Sequence, residues 1–280
     1  MFPGIYEFTW DVGRIIFLGA FYSVLAIVLA TMTIAAVRAI RSLRSRHAES
    51  VRWRADFEDL PEKARRCRHE IGGQVESRVC ERAFDCRKCP DHARFVAAAP
   101  YAAPFPFRPA VAAIVAGIEV PDDRLYHRGH TWVREAEDGT LTVGLDGLGS
   151  RLFGSPDEVR LPAIGAHLVA NGTGWTARKK GALVRVLSPV DGEVVATGRP
   201  SQGWVLRLRP AEDGADLRHL LTPTEARPWM LREMERLQMA LAIDGMGPTL
   251  ADGGVPIDDM SSAIPDDQLD EVCGLMFLEP

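Results

Sequence analysis

Apolar residues run without a formal charge over residues 15–37, alternate over 182–187 and 205–209, and recur at helical spacing from Leu231 through Met234 and Leu237 to Leu241. The first pattern predicts a helix. Its 23 residues would reach roughly 34 Å, enough to cross a bilayer core. A cleaved leader needs a basic start and a shorter apolar stretch, whereas Glu7 and Asp11 precede Arg14 here. Arg38, Arg41, Arg44 and Arg46 follow the span. The positive-inside rule therefore places the N-terminus outside and the rest of the chain in the cytoplasm, as a single-pass protein of the inner (cytoplasmic) membrane. Gly19, Ser23, Thr31 and Thr33 offer a small-residue face on which other membrane helices could pack.

The second pattern predicts strands. Ala182, Val184 and Val186 alternate with Leu183, Arg185 and Leu187, after a basic tip of Arg178, Lys179, Lys180 and Gly181 that reads as a hairpin turn. Val205 to Arg209 reads as a half-exposed strand, and Val159 to Leu161 as one ending at Pro162. Asp138-Gly139 between Val133 and Leu141 is a hairpin signal. The third pattern predicts a helix opened by Thr222-Pro223-Thr224, with Pro228 in its first turn and an end near Asp244-Gly245. A second short helix is expected over 266–276, and the closing Phe277-Leu278 suggests docking into an apolar groove, here or on a partner. Residues 49–66 read as a polar, partly helical stalk with Trp53, Phe57 and Leu60 on one side. Pro100, Pro104, Pro106 and Pro109 forbid regular structure over 97–113, which reads as an extended linker, and a short helix is expected over 114–120.

Composition is that of a folded protein, 46% hydrophobic and 25% charged. A net charge of −5 gives no reason to expect nucleic acid. The distribution is uneven. Residues 38–54 hold six arginines and one glutamate, while residues 241–280 hold nine acidic residues and no lysine or arginine. Two different neighbours are implied. Asp252 and the Asp258-Asp259 pair do not match a calcium loop and read as solvated. His127 and His130 have no recognisable nucleophile partner and read as structural, and no nucleotide loop is visible. Nothing points to an enzyme or to a small-molecule substrate.

Four of the five cysteines cluster as Cys67, Cys80, Cys86 and Cys89, with Cys273 apart. In a reducing cytoplasm such a cluster points to metal rather than disulfides. Cys86-x-x-Cys89 lets two thiolates reach one centre from a single turn, and the other two would close a tetrahedral site. Zinc is the default. Cys89-Pro90 also resembles ferredoxin-like iron–sulfur ligation. Arg87 and Lys88 would offset the thiolate charge, and His69 or His92 could each replace a cysteine.

His130-Thr131-Trp132-Val133, then Thr142 to Asp146, Leu161-Pro162 with Gly165, Ser188-Pro189-Val190-Asp191-Gly192-Glu193-Val194 and Gly203-Trp204 form a series that resembles the H protein of the glycine cleavage system. The resemblance covers roughly residues 122–222. It implies a small β-barrel-sandwich hybrid whose hairpin-tip lysine carries lipoate. In those carriers the modified lysine sits eight positions before the proline of the Ser/Ala-Pro-Val turn. Here that position is Gly181, with Lys180 one place early and Lys179 two. A one-residue slip moves a side chain to the other face of a strand, and only a bulge or longer turn would restore it. Residues 197–202 replace the family's long acidic and Asn-rich connection. Even so, the chain has only four lysines, and two of them stand at this tip.

The expected fold is α+β, with five parts. Residues 1–48 form a transmembrane anchor and basic collar, 49–95 a Cys-rich metal module, 96–118 a linker, 119–222 an H-protein-like β domain, and 223–280 a C-terminal helix and acidic tail. The expected role is a non-lipoylated accessory or scaffold subunit docked on a membrane-protein complex. A membrane-tethered lipoyl carrier using Lys180 or Lys179, and an electron-transfer subunit with a four-cysteine iron–sulfur cluster, stand as alternatives.

Overall fold

A computed structural model describes residues 11–98, 112–199, 202–211, 214–242 and 256–279. The chain divides into two compact units, Met1–Ala48 and Glu49–Pro280. Helix α1, Val12–Asp59, starts in the first and ends in the second.

In the first unit the apolar side chains of α1 face outward, among them Ile16, Phe17, Ile27 and Met32. This helix is long and apolar enough to cross a membrane. Its hydroxyls bond back to the helix: Ser23 donates to the Gly19 carbonyl at 2.6 Å and Thr33 to the Leu29 carbonyl at 2.8 Å. Polar side chains in an apolar stretch are thereby satisfied without outside partners.

The second unit is built on two antiparallel sheets and a β-ribbon. The ribbon pairs β1 (Ala112–Val115) with β2 (Ile118–Pro121). A helix over 114–120 was expected. Instead Ala116 and Gly117, at φ of 46° and 81°, make the tight turn of a hairpin. The alternation of Ile118 and Val120, both fully buried, against exposed Glu119 is a period-two signal that a helical reading overlooks.

The larger sheet runs β3-β4-β5-β11-β10-β7. Its strands are β3 (Leu125–His127), β4 (Thr131–Glu135), β5 (Leu141–Leu145), β7 (His167–Leu168), β10 (Gly192–Arg199) and β11 (Trp204–Arg209). Asp138-Gly139 turns β4 into β5 as expected, with Gly139 at φ 74°. The smaller sheet runs β6-β8-β9: β6 (Glu158–Arg160), β8 (Thr173–Lys179) and β9 (Ala182–Leu187). One core joins the sheets, with Val133, Val143, Leu206 and Leu208 from the larger and Trp175, Val184 and Val186 from the smaller.

Helix α2 is the single turn Arg68–Ile71, and α3 is Pro90–Ala98. Helix α4, Gly147–Phe153, is capped by Asp146, whose carboxylate accepts from the Gly149 amide at 2.7 Å. Helix α5, Pro223–Ala242, opens one turn earlier than Pro228 suggested. The Glu225 side chain reaches back as in one half of a capping box: the Thr222 amide donates to its carboxylate at 2.9 Å and the Thr222 hydroxyl at 2.8 Å. Helix α6, Asp266–Met276, falls where the sequence predicts it, and Phe277 and Leu278 are buried in this same unit.

A second, smaller core gathers Trp53, Phe57 and Leu60, Phe84, Leu187 of β9, and Leu278. The outer face of β9 is therefore covered at Leu187 by the end of α1 and by the last residues of the chain, while Leu183 on the same face is half exposed. Arg185 stands in the same face with only 3% of its side chain exposed, paired with Glu279 and Asp56.

Candidate functional site

The hairpin of β8 and β9 pairs Lys179 directly with Ala182. That leaves Lys180 and Gly181 as a two-residue turn, at φ of 48° and 87°. Both central residues of such a turn need positive φ, which glycine adopts freely and lysine at a cost of about 1–2 kcal/mol. The Lys180 amide offsets part of that cost by donating to Asp157 at 2.8 Å. The strand irregularity of β8 lies at Thr173/Trp175, the far end from the tip. The ladder is regular from Trp175 to the turn, so no bulge or long turn returns a lysine to the position of Gly181.

Both lysine ammonium groups are engaged by the C-terminal segment. Lys179, 8% exposed, donates from Nζ to the Ser155 carbonyl at 2.6 Å and to Asp259 at 3.0 Å. Asp259, expected to be solvated, is instead the counter-charge of a buried lysine, and its carboxyl is held low: burial opposes the charge, but bonds from Ser261 and Lys179 outweigh it. Asp258 is solvated as expected. Asp252 lies outside the described residues. Lys180 Nζ donates to the carbonyls of Ser262 at 3.3 Å and Ile264 at 3.1 Å, and pairs with Asp266 at 3.3 Å. A lipoyl amide needs an amine free to react. Here one amine is buried in an ion pair, the other caps the approach to α6, and the register position is glycine. These residues do not fit a carried lipoate.

The four clustered cysteines meet at a different place. Cys67 precedes α2, and its amide donates to the Arg78 carbonyl at 2.7 Å; the Cys80 amide donates to the Arg65 carbonyl at 2.6 Å. Cys86 opens a single 3₁₀ turn, Cys86–Lys88, with Cys89 just after it. All four line one cavity of about 60 Å³. Burial pushes the Cys86 thiol up to about 11. Arg87 turns away toward Asp85 at 2.7 Å and Asp191 at 2.6 Å, and Lys88 pairs with Asp85 at 3.1 Å. Among the described residues no three His, Cys, Asp or Glu side chains close on a single point as a metal site requires. His69 and His92 pair with each other, Nε2 to Nδ1, at 3.0 Å. Cys273 sits in the main core.

His127 and His130 are interior fittings. His127 bonds Asn171 at 2.8 Å, and burial takes it down to about 3. His130 bonds Asp146 at 2.9 Å. Burial opposes its charge, yet Asp146 and Glu233 outweigh that and raise it to about 9.

Sequence reasoning missed the partners of both sites. Asp259, Ser262 and Ile264 at the lysine tip come from a segment 80 or more positions away. Arg128 and His219, which line the cysteine cavity, come from the β domain. One hint was available for the first: an acidic tail without lysine or arginine, and two adjacent lysines in a lysine-poor chain.

No family model matches the chain. It is 32% identical to a glycine cleavage system H protein of Alkalilimnicola ehrlichii over 120 residues, covering 38% of this chain and 92% of that protein. It is 35% identical to the one from Neisseria meningitidis over 116 residues, covering 37% of this chain and 90% of that protein. A solved glycine cleavage system H protein from Mycobacterium marinum aligns with a TM-score of 0.33 and 23% identity, covering 38% of this chain and 94% of that one.

Proposed function

Because the chain belongs to the glycine cleavage system H protein family, we propose that it is a non-carrying member: an accessory subunit held at a membrane by α1, whose barrel is a docking body rather than a swinging arm. The observation that carries this reading is the tip of the hairpin. Gly181 stands at the carrier register, and both neighbouring lysines are engaged by residues 259–266. The tail occupies the ground over which a carried group would have to move.

The apolar span of α1 supports membrane attachment, and the arginines at 38, 41, 44 and 46 support a cytoplasmic location for everything after it. The partners in this reading are other subunits of a membrane complex, and the chain performs no catalysis itself. A second reading, carriage of lipoate on Lys180, draws on one feature: its side chain keeps 30% exposure at the turn.

The test is the mass of the full chain, produced in a host supplied with lipoate and a lipoyl ligase, with the hairpin peptide mapped. The expected result is unmodified lysine at both 179 and 180. A lipoyl adduct on either residue overturns the proposal and establishes the carrier reading.

A further inference from the structure

Helix α5 lays one face along a second cavity, of about 120 Å³, that has no part in the hairpin. Trp229, Arg232, Glu233 and Arg236 stand at positions i, i+3, i+4 and i+7 of that helix and so share the face. Ile71, Phe84, Trp229 and Leu278 are buried and make an apolar floor. Lys63, Arg66, Glu235 and Met239 are exposed and mark the mouth. The space is well beyond the roughly 10–15 Å³ that admits one water, so a polyatomic ion fits.

The wall carries more cations than carboxylates. Lys63, Arg66, Arg128, Arg232 and Arg236 line it, against Glu233 and Glu235. Arg66 is matched by Glu70 at 3.3 Å. Glu233 pairs with Arg236 at 2.5 Å and is also the acidic neighbour of Arg128, so one carboxylate serves two guanidiniums. His130, which also approaches Glu233, has its own partner in Asp146 at 2.9 Å. The thiols of Cys67, Cys80 and Cys86 lie toward Arg128 as well, and burial pushes those of Cys67 and Cys86 up, so these two stay protonated at neutral pH. With Glu70 and the exposed Glu235 counted in full, five cations face three carboxylates. Three guanidiniums each keep a buried nitrogen without a hydrogen-bond partner: Arg128 Nη2, Arg232 Nη1 and Arg236 Nε. Arg128 is 7% exposed, fixed by a bond to the Arg66 carbonyl and by the Phe84 ring 4.1 Å from its guanidinium carbon. Arginines gathered in one partly buried place repel one another. An anion that accepts from their free donors removes the repulsion and the unmet bonds together.

We propose that this cavity binds a phosphate monoester group, with Arg128, Arg232 and Arg236 donating to its oxygens. A phosphate monoester carries close to two negative charges at neutral pH, which is the excess on this wall. Guanidinium forks match phosphate geometry, and they hold their charge at any pH the protein meets. The apolar floor and Met239, 57% exposed at the mouth, give the carbon part of the ester a surface to lie on. Two sources carry this group, a small soluble ester and a lipid headgroup, and the experiment separates them.

The full chain in detergent is titrated with inorganic phosphate, phenyl phosphate and a short-chain phosphatidate, each followed by calorimetry and by tryptophan fluorescence, since Trp229 lines the cavity. Saturable binding of one phosphate per chain is expected, at least tenfold tighter than acetate and weakened by salt. Binding of inorganic or phenyl phosphate assigns a soluble ester, and binding of phosphatidate alone assigns a lipid headgroup; either upholds the site. Arg232→Gln, at a half-buried position, should weaken binding about tenfold, with Arg232→Lys recovering part of it, and Arg128→Gln should do at least as much. If Arg128→Gln loses its cooperative melt, Arg232→Gln decides alone. Arg209→Gln, an exposed position outside the cavity, should change nothing. The proposal is overturned if none of the three probes binds saturably. It is overturned equally if binding survives Arg232→Gln undiminished, or falls as far with Arg209→Gln.

Discussion

Arg185→Met would test how strongly the end of α1, the hairpin and the chain terminus are bound into one unit. Arg185 lies in β9 with 3% of its side chain exposed. Its Nε is 3.1 Å from one oxygen of Glu279, while its own amide donates to the other at 2.7 Å. Nη2 pairs with Asp56, and Nη1 lies 4.0 Å from Glu49. Methionine fills the space of the stem but leaves three carboxylates facing one another. Removing one partner of a fully buried ion pair costs about 3–5 kcal/mol. Here Glu279 keeps Arg52 at 3.0 Å and Glu49 keeps the Thr173 amide at 2.9 Å, and the three carboxylates keep side-chain exposures of 19%, 21% and 31%, so these partners and water relieve part of the penalty. The lower end, about 3 kcal/mol, is expected. For a unit of this size each kcal/mol moves the midpoint by about 2–4 °C, so the melting temperature should fall by about 6–12 °C. Tryptophan fluorescence of the full chain in detergent would report it, since Trp53 lies in the neighbouring small core. Leu183→Ala, one strand position before Val184 and half exposed, is the matched control, with an expected change within about 0.5 kcal/mol. Adding Asp56→Asn and Glu279→Gln to Arg185→Met should recover part of the loss. An Arg185→Met midpoint indistinguishable from the parent would refute the reasoning.

Stability should peak near neutral pH. His127 titrates at about 3 in the folded chain, below its unfolded value near 6.5, so its contribution is whole above 6.5 and is lost as pH falls toward 3. His130 titrates at about 9, so its contribution is whole below 6.5 and is lost as pH rises toward 9. Chemical denaturation across pH should show both limbs, with His127→Gln flattening the acid limb and His130→Gln the alkaline one. Gly144→Ala would place a Cβ 2.6 Å from the Trp132 ring and 2.9 Å from the Gly203 carbonyl. A loss of about 1–3 kcal/mol is expected in urea titration. Thr222→Ala removes the hydroxyl bond to Glu225 at 2.8 Å and keeps the amide bond, and should cost about 0.5–1 kcal/mol, with Thr222→Ser close to neutral by the same titration.

Local chemistry made much of this fold legible. The 15–37 run, Asp138-Gly139, Val205 to Arg209 and the 266–276 helix each follow from periodicity or turn residues within a dozen positions. The register of the hairpin was legible too, because a proline and a two-residue turn fix the count between them. What escaped depends on pairing across long sequence separations. Nothing local says that Asp259 meets Lys179, or that Arg128 faces cysteines some forty to sixty positions earlier. Residues 114–120 hold two strand ends of four residues each around Ala116-Gly117, too short for their alternation to stand out from a helical pattern. Leu231, read as part of the apolar stripe of α5, is 48% exposed, and Trp229 and Met230 fill the core instead. Of the expected linker, residues 96–98 end α3 and 112–118 belong to the hairpin of β1 and β2; residues 99–111 and the expected helix end near 244–245 lie outside the described residues.

The small core that joins Trp53 to Leu278 has a consequence for synthesis. The two are separated by 278 − 53 = 225 residues. At 5–20 residues per second, a ribosome takes roughly 11–45 s to deliver the second after the first. For that interval Trp53, Phe57 and Leu60 have no Leu278 to pack against. Closure of this unit therefore waits for the end of synthesis. The nascent chain passes through a long-lived stage with a sticky helical face exposed, and a holding factor would have its work there.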